Sequence, residues 1–269
     1  MLLDKYYYPP VNFYSVWFSE LVLRFLRSNG KKVDSSDTIL DIGCGLGNHC
    51  FSLLEYSRKE LYGFDISKET IDLLNTFGKR VVFRNVDICK DDITELKNKF
   101  SIIFSSDVYE HVDDPQVMLD NVYAMLRPGG VVSITFPNLD NHGHNQLTSI
   151  KEFTDKLDKT GFKDYKIIIV EGLSFPYKVF TELYEVFQNL SDKMYGIKRN
   201  ANRMPESDEF HEMYAFKKIN KIKNKTLLVR FINLCYDIMK RICRLSSIYT
   251  TVPDGEGIKN KRFLFFSRK

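Results

Sequence analysis

The segment Thr38-Ile-Leu-Asp-Ile-Gly-Cys-Gly-Leu-Gly47 decides the fold that we predict for this chain. Its first half contains a short apolar run, Ile39 to Ile42, which is typical of a buried parallel strand. Three glycines at alternate positions follow at once, and residues 49–56 then have helical character. A strand that enters a helix through glycines lets backbone N–H groups approach a ligand, because no Cβ stands in the way. The segment therefore predicts a loop that holds a cofactor.

The spacing of the glycines narrows the choice of cofactor. A dinucleotide loop has the pattern G-x-G-x-x-G and would need glycine at position 48, where this chain has Asn48. The chain instead reads D-x-G-x-G-x-G, with Asp41 before the first glycine. This pattern resembles motif I of the class I methyltransferases that use S-adenosylmethionine (SAM). The resemblance implies a SAM site that includes Asp41, Gly43, Cys44, Gly45 and Gly47.

Two acidic residues follow at the ends of the next predicted strands, residues 61–65 and 81–87. Asp65 lies 24 residues after Asp41, close to the spacing at which an acid reaches the ribose hydroxyls of an adenosine cofactor. The pair Asp87-Ile88 resembles the pair that contacts adenine in the same family. The resemblance also places Ile66 and Ser105 at the cofactor.

Residues 100–137 extend the resemblance. They predict a strand at 100–107, a helix at 114–126 and a strand at 131–137. The sequences Asp107-Val-Tyr-Glu-His-Val112 and Leu126-Arg-Pro-Gly-Gly130 are similar to the small-molecule branch that includes ubiquinone-type and sugar O-methyltransferases.

The predicted fold class is therefore α/β, a Rossmann-like sheet of seven strands. Most strands are expected to be parallel, with the last one antiparallel, helices on both faces and a helical insert before the last strand. We predict four parts: an N-terminal helical lid (1–37), the SAM-binding core (38–170), a helical and basic insert (171–261) and the final core strand (262–269). The carboxyl ends of the parallel strands are expected to share one cleft.

Composition favours a reduced, cytoplasmic protein. The five cysteines are odd in number and lack C-x-x-C spacing. We find no signal-peptide pattern and no apolar run long enough to span a bilayer. The net charge of +4 conceals an asymmetry, because residues 193–269 hold eighteen Lys and Arg against seven Asp and Glu. Such a basic region could meet phosphates, an anionic membrane face or an acidic partner.

The insert is predicted to contain a helix that begins at Pro176 and a second helix over residues 226–248. The second is amphipathic and has a basic polar face. Its apolar stripe indicates either core packing, which the pattern favours, or peripheral contact with the inner face of a membrane. Between the two helices, Arg199 and Arg203 are candidates for contact with a phosphate group.

Methyl transfer requires a nucleophile aligned with the bond from sulfur to the methyl carbon. A hydroxyl acceptor must also lose a proton, so a base is expected nearby. His111 and His144 are the catalytic candidates, and His142 lies in the same predicted loop as His144. We predict no metal, because Asp113-Asp114-Pro115 is better explained as a helix entrance.

The sequence thus predicts a SAM-dependent methyltransferase that acts on an oxygen, or less readily a nitrogen, of a small molecule and releases S-adenosylhomocysteine. A saccharide, lipid-linked or nucleotide-linked, is the preferred acceptor. Nucleic acid is not expected, since Ser105-Ser-Asp-Val108 replaces the Asn-Pro-Pro-Tyr type of tetrapeptide and no RNA-binding motif occurs. Two alternatives stay open: an NAD-dependent oxidoreductase, and a catalytically silent SAM-binding protein associated with a membrane. The oligomeric state is not predicted.

Overall fold

Strands and helices alternate along the chain in the computed structural model, which describes residues 13–54, 56, 59, 61–75, 80–138, 150–173, 186, 234, 238, 241, 248–251 and 261–269. The helices are α1 (Phe13–Ser28), α2 (Asn48–Leu53), α3 (Lys68–Leu74), α4 (Pro115–Met125) and α5 (Ile150–Thr160). The strands are β1 (Ile39–Ile42), β2 (Leu61–Asp65), β3 (Val81–Asn85), β4 (Phe100–Ser106), β5 (Leu126–Asn138), β6 (Lys163–Leu173), β7 (Ile248–Thr251) and β8 (Lys261–Arg268).

The strands form one sheet in the order β3-β2-β1-β4-β5-β8-β6-β7. Strands β1 to β5 pair in parallel, whereas β8 lies between β5 and β6 and is antiparallel to both. The predicted Rossmann-like sheet, with its antiparallel last strand, is confirmed. The eighth strand, β7, was not predicted; it pairs with the outer edge of β6, where Thr251 lies opposite Ile169.

Both faces of the sheet are covered by apolar side chains. Helices α1, α2 and α3 pack on one face, where Leu26, Phe104 and Leu264 belong to one buried cluster. Helices α4 and α5 cover the other face, where the second cluster includes Met118 and Phe265. Burial of this apolar surface is the main favourable term in folding, and it fixes the carboxyl ends of β1 to β4 at a common edge.

Side-chain caps begin two of the helices, and the sequence analysis predicted the second of them. The Ser67 hydroxyl accepts a hydrogen bond from the Thr70 amide at 3.3 Å. Asp114 Oδ1 accepts from the amides of Gln116 and Val117, and Pro115 occupies the first turn of α4. The interpretation of Asp114-Pro115 as a helix entrance is confirmed.

Two predicted features differ from the structure. The fifth strand was predicted to begin at residue 131, but it begins at Leu126, directly after α4, so residues 127–130 belong to β5. The reason is that Gly129 donates to the Lys269 carbonyl and Lys269 donates to Gly130, both at 3.0 Å. The helix predicted to end at residue 248 also ends earlier, since Ile248 starts β7.

Several predicted features lie outside the described residues. They include residues 1–12 of the predicted lid, the loop that carries His142 and His144, and most of the insert with Arg199 and Arg203.

Candidate active site

The glycine loop between β1 and α2 is tied to strand β2 by its own amides. Gly43 and Cys44 both donate to the carbonyl of Phe64, at 2.8 and 2.9 Å. The Gly45 amide donates to Asp65 Oδ2 at 2.8 Å. The expectation that these amides face a ligand is therefore wrong: they are already used within the protein, and they make the loop rigid.

Only glycine fits at two positions of this loop. Gly43 has a φ angle of 70°, and a Cβ added to it would lie 2.0 Å from Val108 Cγ2. Gly47 has a φ angle of 76°, and a Cβ there would lie 2.7 Å from the Phe51 ring. The glycines thus serve a left-handed backbone and close side-chain packing.

Asp65 is held in place from two directions. Its Oδ2 accepts from Gly45, and its Oδ1 accepts from the Ser67 amide at 2.8 Å. Bonds from backbone amides to a carboxylate are stronger than neutral ones, and each oxygen keeps a further lone pair. The carboxylate is therefore oriented in advance and can still accept from two hydroxyl groups.

A cavity of about 290 Å³ lies at the carboxyl ends of β1 to β4. Its walls bring together seven of the residues that the sequence singled out, namely Gly43, Gly45, Asp65, Ile66, Asp87, Ile88 and His111. The Ile66 side chain is 70% exposed. An exposed apolar side chain on the wall of a cavity suits contact with a flat ring.

Asp87, which the family resemblance assigns to the adenine ring, lies on the cavity wall. Its Oδ1 accepts from the Cys89 amide at 2.9 Å, and its Oδ2 lies 3.3 Å from Lys90 Nζ. The same Lys90 nitrogen lies 2.6 Å from Asp113, another residue of the cavity wall. Both predicted acids, Asp65 and Asp87, therefore lie on the cavity that Gly45 also lines.

Four other predicted cofactor residues do not line this cavity: Asp41, Cys44, Gly47 and Ser105. Ser105 is fully buried. The residues aligned with Ser105 on the two adjacent strands are Ile42 on β1 and Ile134 on β5. Both belong to the apolar cluster under α4 and α5, so the Ser105 hydroxyl lies on that face of the sheet. The assignment of the Ser105 side chain to the cofactor is therefore not supported by its position.

His111 is the predicted catalytic residue that the structure places at the cavity. Its side chain is 52% exposed, and its Nε2 lies 3.9 Å from the Glu110 carboxylate, which is buried. The His111 amide donates to the Val108 carbonyl at 2.9 Å, which fixes the turn after β4. The imidazole can thus reach both the cavity and solvent.

Three polar residues of the wall, Cys89, Asp107 and Asp113, were given no cofactor or catalytic role in the sequence prediction. Asp107 has a φ angle of 56°, unusual for a residue other than glycine, and its amide donates to the Thr135 carbonyl at 2.9 Å. Such strain is common at functional sites, but nothing in the local sequence reveals it. Burial raises the pKa of the Cys89 thiol, whose Sγ lies 3.4 Å from the Asp114 carbonyl.

A further histidine, also missed, lies at the start of α2. His49 Nδ1 is 2.7 Å from the hydroxyl of Ser19 on α1. Burial between the helices lowers the pKa of His49 to about 4. The imidazole is therefore neutral near pH 7 and joins the N-terminal helix to the helix that follows the glycine loop.

Within the part of the chain that the structure describes, no group of three or more His, Cys, Asp or Glu side chains is arranged to hold a metal ion. Among the same residues, no helix has both the length and the hydropathy needed to cross a bilayer.

Comparison with known proteins identifies the class to which this fold and site belong. A family model described as "Methyltransferase domain" matches residues 17–167. The chain belongs to this family. The predicted methyltransferase family is thereby confirmed, and this family disfavours the alternative of an NAD-dependent oxidoreductase.

The chain is similar to two methyltransferases with different acceptors. It is 26% identical over 170 residues to a tRNA U34 carboxymethyltransferase of Campylobacter jejuni, covering 56% of this chain and 58% of the relative. It is 33% identical over 128 residues to phosphoethanolamine N-methyltransferase 3 of Arabidopsis thaliana, covering 46% and 25%. The chain spans little more than half of the first relative and a quarter of the second.

Solved structures share the fold. The Haemonchus contortus phosphoethanolamine N-methyltransferase 2 in complex with SAM superimposes with a TM-score of 0.54 at 18% identity, covering 94% of this chain and 52% of that one. A SAM-dependent methyltransferase from Archaeoglobus fulgidus gives a TM-score of 0.50 at 17% identity, with coverage of 93% and 94%.

Proposed function

We propose that this chain methylates an oxygen atom of a small polar molecule, with a lipid-linked or nucleotide-linked saccharide as the preferred acceptor. One observation carries the proposal: Asp65 and His111 lie on the walls of the same cavity, at the carboxyl edge of the sheet. A site for the cofactor and a base for the acceptor are thereby close together.

The residues divide into two roles. Asp65 and Asp87 accept hydrogen bonds from the ribose and adenine groups, and the rigid glycine loop fixes Asp65 for this contact. Bound SAM supplies a methyl group already activated by a sulfonium. His111 accepts the proton of the acceptor hydroxyl, and its exposed edge passes that proton to solvent.

The first experiment measures methyl transfer from labelled SAM to a panel of sugars, phenols and amines. For the acceptor so found, His111→Gln is expected to lower kcat by about 100-fold, the lower end of the range for general base catalysis. The SAM affinity, measured by calorimetry, is expected to change less than about twofold, because the variant removes a base and not a cofactor contact. Unchanged kcat would exclude His111 as the base.

An amine acceptor is the second candidate function. Asp107 and Asp113 put two more carboxylates on the cavity wall beside His111, and carboxylates favour a cationic substrate. The similarity to phosphoethanolamine N-methyltransferases supports the same acceptor class. Asp107→Asn is expected to raise KM for an amine and to leave KM for a hydroxyl acceptor unchanged; an equal effect on both acceptors would contradict this role.

Residues 226–248 are proposed to contact an anionic membrane at its cytoplasmic face, where a lipid-linked acceptor would be found. Residues 234, 238 and 241 are helical, and the side chains of Leu234 and Ile238 are 57% and 41% exposed. Arg241, also exposed, shares their side of a helix. We expect the chain to float with anionic vesicles and the pair Leu234→Ser, Ile238→Ser to float less. If the unaltered chain does not float with the vesicles, the proposed membrane contact is contradicted.

A further inference from the structure

The motif I acid, Asp41, is buried without the partners that an ionised carboxylate needs. Its side chain is 1% exposed, and among the described residues Oδ1 has no hydrogen-bond partner. Within the same part of the chain, the donor to Oδ2 is the weak thiol of Cys50, at 3.6 Å. The amides of Gly43 and Cys44, which follow Asp41 closely in the sequence, are directed to the Phe64 carbonyl.

Among the described residues, the groups that act on the Asp41 carboxyl are the Cys50 thiol and the Asp65 carboxylate, and neither is a cation. Asp65, at the end of β2, is a second carboxylate, and the aligned residue on β4 is the apolar Phe104. Burial raises the pKa of the Cys50 thiol on α2 well above its usual value, so Cys50 stays neutral. A buried carboxylate in such surroundings is costly, and the group normally takes up a proton instead. In agreement, burial raises the pKa of Asp41 to about 8, although the Cys50 thiol opposes this rise.

We propose that Asp41 is a neutral acid in the cofactor-free enzyme and releases its proton to solvent when SAM binds, becoming the counter-charge of the cationic cofactor. Asp41 does not itself line the cavity, but it directly precedes Ile42 and Gly43, which do, so its charge can act across a short distance on a cofactor bound there. In the proposed function, Asp65 and Asp87 bind the adenosine part of SAM. The part that carries the sulfonium and the ammonium then lies near the end of β1. The inference rests on SAM as the cofactor and not on the identity of the acceptor.

Proton release makes cofactor binding depend on pH. Below the pKa of Asp41 in the free enzyme, binding releases one proton, and each unit by which the pH falls makes that release tenfold less favourable. The affinity for SAM is then expected to fall about tenfold for each such unit. Between pH 6 and 7 the amino group of SAM stays largely protonated, so its own titration contributes little.

Calorimetry in two buffers of different ionisation enthalpy tests the proposal with the full chain. At pH 6 and 7 the unaltered enzyme is expected to release about one proton per SAM bound, and Kd is expected to improve about tenfold from pH 6 to 7. Asp41→Asn keeps the shape of the side chain but cannot ionise, so it is expected to lose both the proton release and the change of Kd with pH. Any proton release that remains in this variant measures the contribution of the other titratable groups of the cavity, including His111. Equal proton release by the two proteins, or none by the unaltered enzyme, would overturn the proposal.

Two further measurements do not depend on the variant. A difference infrared spectrum is expected to lose the carbonyl band of a protonated carboxylic acid when SAM binds, and persistence of that band would contradict the proposal.

The second measurement compares SAM with S-adenosylhomocysteine, which keeps the ammonium of SAM but lacks the sulfonium. If both ligands cause proton release, the ionised Asp41 acts on the ammonium. If SAM alone causes proton release, it acts on the sulfonium. Either result supports ionisation of Asp41. Absence of any SAM binding would remove the cofactor itself, and this inference with it, whatever the acceptor.

Discussion

At the scale of single residues, Asp65 links the glycine loop to the cavity. Its two oxygens accept from Gly45 on the loop and from Ser67 at the start of α3. One carboxylate therefore holds the loop in shape and presents the remaining lone pairs to the cofactor. Loss of its charge is expected to weaken both contacts together.

We expect Asp65→Asn to weaken SAM binding by about 10- to 100-fold. The reason is that hydrogen bonds to a charged group contribute roughly 1.5–3 kcal/mol, and an amide nitrogen cannot accept from Gly45 or Ser67. Calorimetry measures the change. The matched control is Asp72→Asn on α3, where an exposed ion pair with Lys68 contributes little. A similar loss in both variants would indicate a general charge effect.

The predicted acids that the structure brings to the cavity are those at strand ends that are visible in the sequence. Asp65 and Asp87 follow apolar runs, and parallel strands bring such ends to one edge. Ser105 lies one residue before the end of β4, where alternation directs it to the opposite face from Phe104, into the core. Asp107 was given no role at the site, because its left-handed φ angle is set by the turn and not by local sequence.

At the scale of elements, the contact between α1 and α2 connects the N-terminal helix to the cofactor loop. Ser19 bonds His49, and the Tyr56 hydroxyl donates to Glu20 Oε1 at 3.2 Å. Ser19 and Glu20 are both buried. Polar contacts at this depth are sensitive to a change in the charge of either partner.

This contact is expected to weaken in acid because of His49. The pKa of His49 is lowered in the folded chain, so the unfolded chain binds more protons between pH 6.5 and about 4. The contribution of the neutral ring is complete above pH 6.5 and is lost as the pH falls towards 4. His49→Asn, whose Oδ1 can replace Nδ1 as the partner of Ser19, is expected to show a flatter stability profile from pH 7 to 5 in urea unfolding. Parallel profiles for the two proteins would show that His49 does not titrate on unfolding.

The elements themselves were largely readable from the sequence. The second strand has the predicted bounds, and α4 begins and ends within one residue of expectation. The cap residues and apolar periods are local signals, which explains this success. Strand β7 has no such signal, because its pairing depends on the exposed edge of β6, far away in the chain.

At the scale of the whole molecule, the last residues of the chain lie inside the sheet. Strand β8 pairs with β5 on one side and β6 on the other, and Phe263, Leu264, Phe265 and Phe266 are all buried. The two core clusters meet across this strand, since Leu264 belongs to one and Phe265 to the other. The fold is therefore completed only when the end of the chain has been inserted.

Phe265 tests how far the whole fold depends on this strand. Its side chain is fully buried, and its ring centroid lies 5.4 Å from that of Phe153 on α5 and 5.9 Å from that of Phe162. Phe265→Ala is expected to lower the free energy of unfolding by about 3–5 kcal/mol, because it removes apolar surface and leaves a cavity between β8 and α5. Leu234→Ala, at a side chain that is 57% exposed, is the control and is expected to change it by less than about 0.5 kcal/mol. Urea unfolding with an unchanged slope gives both values, and a loss below about 1 kcal/mol for Phe265→Ala would mean that β8 is not part of the cooperative core.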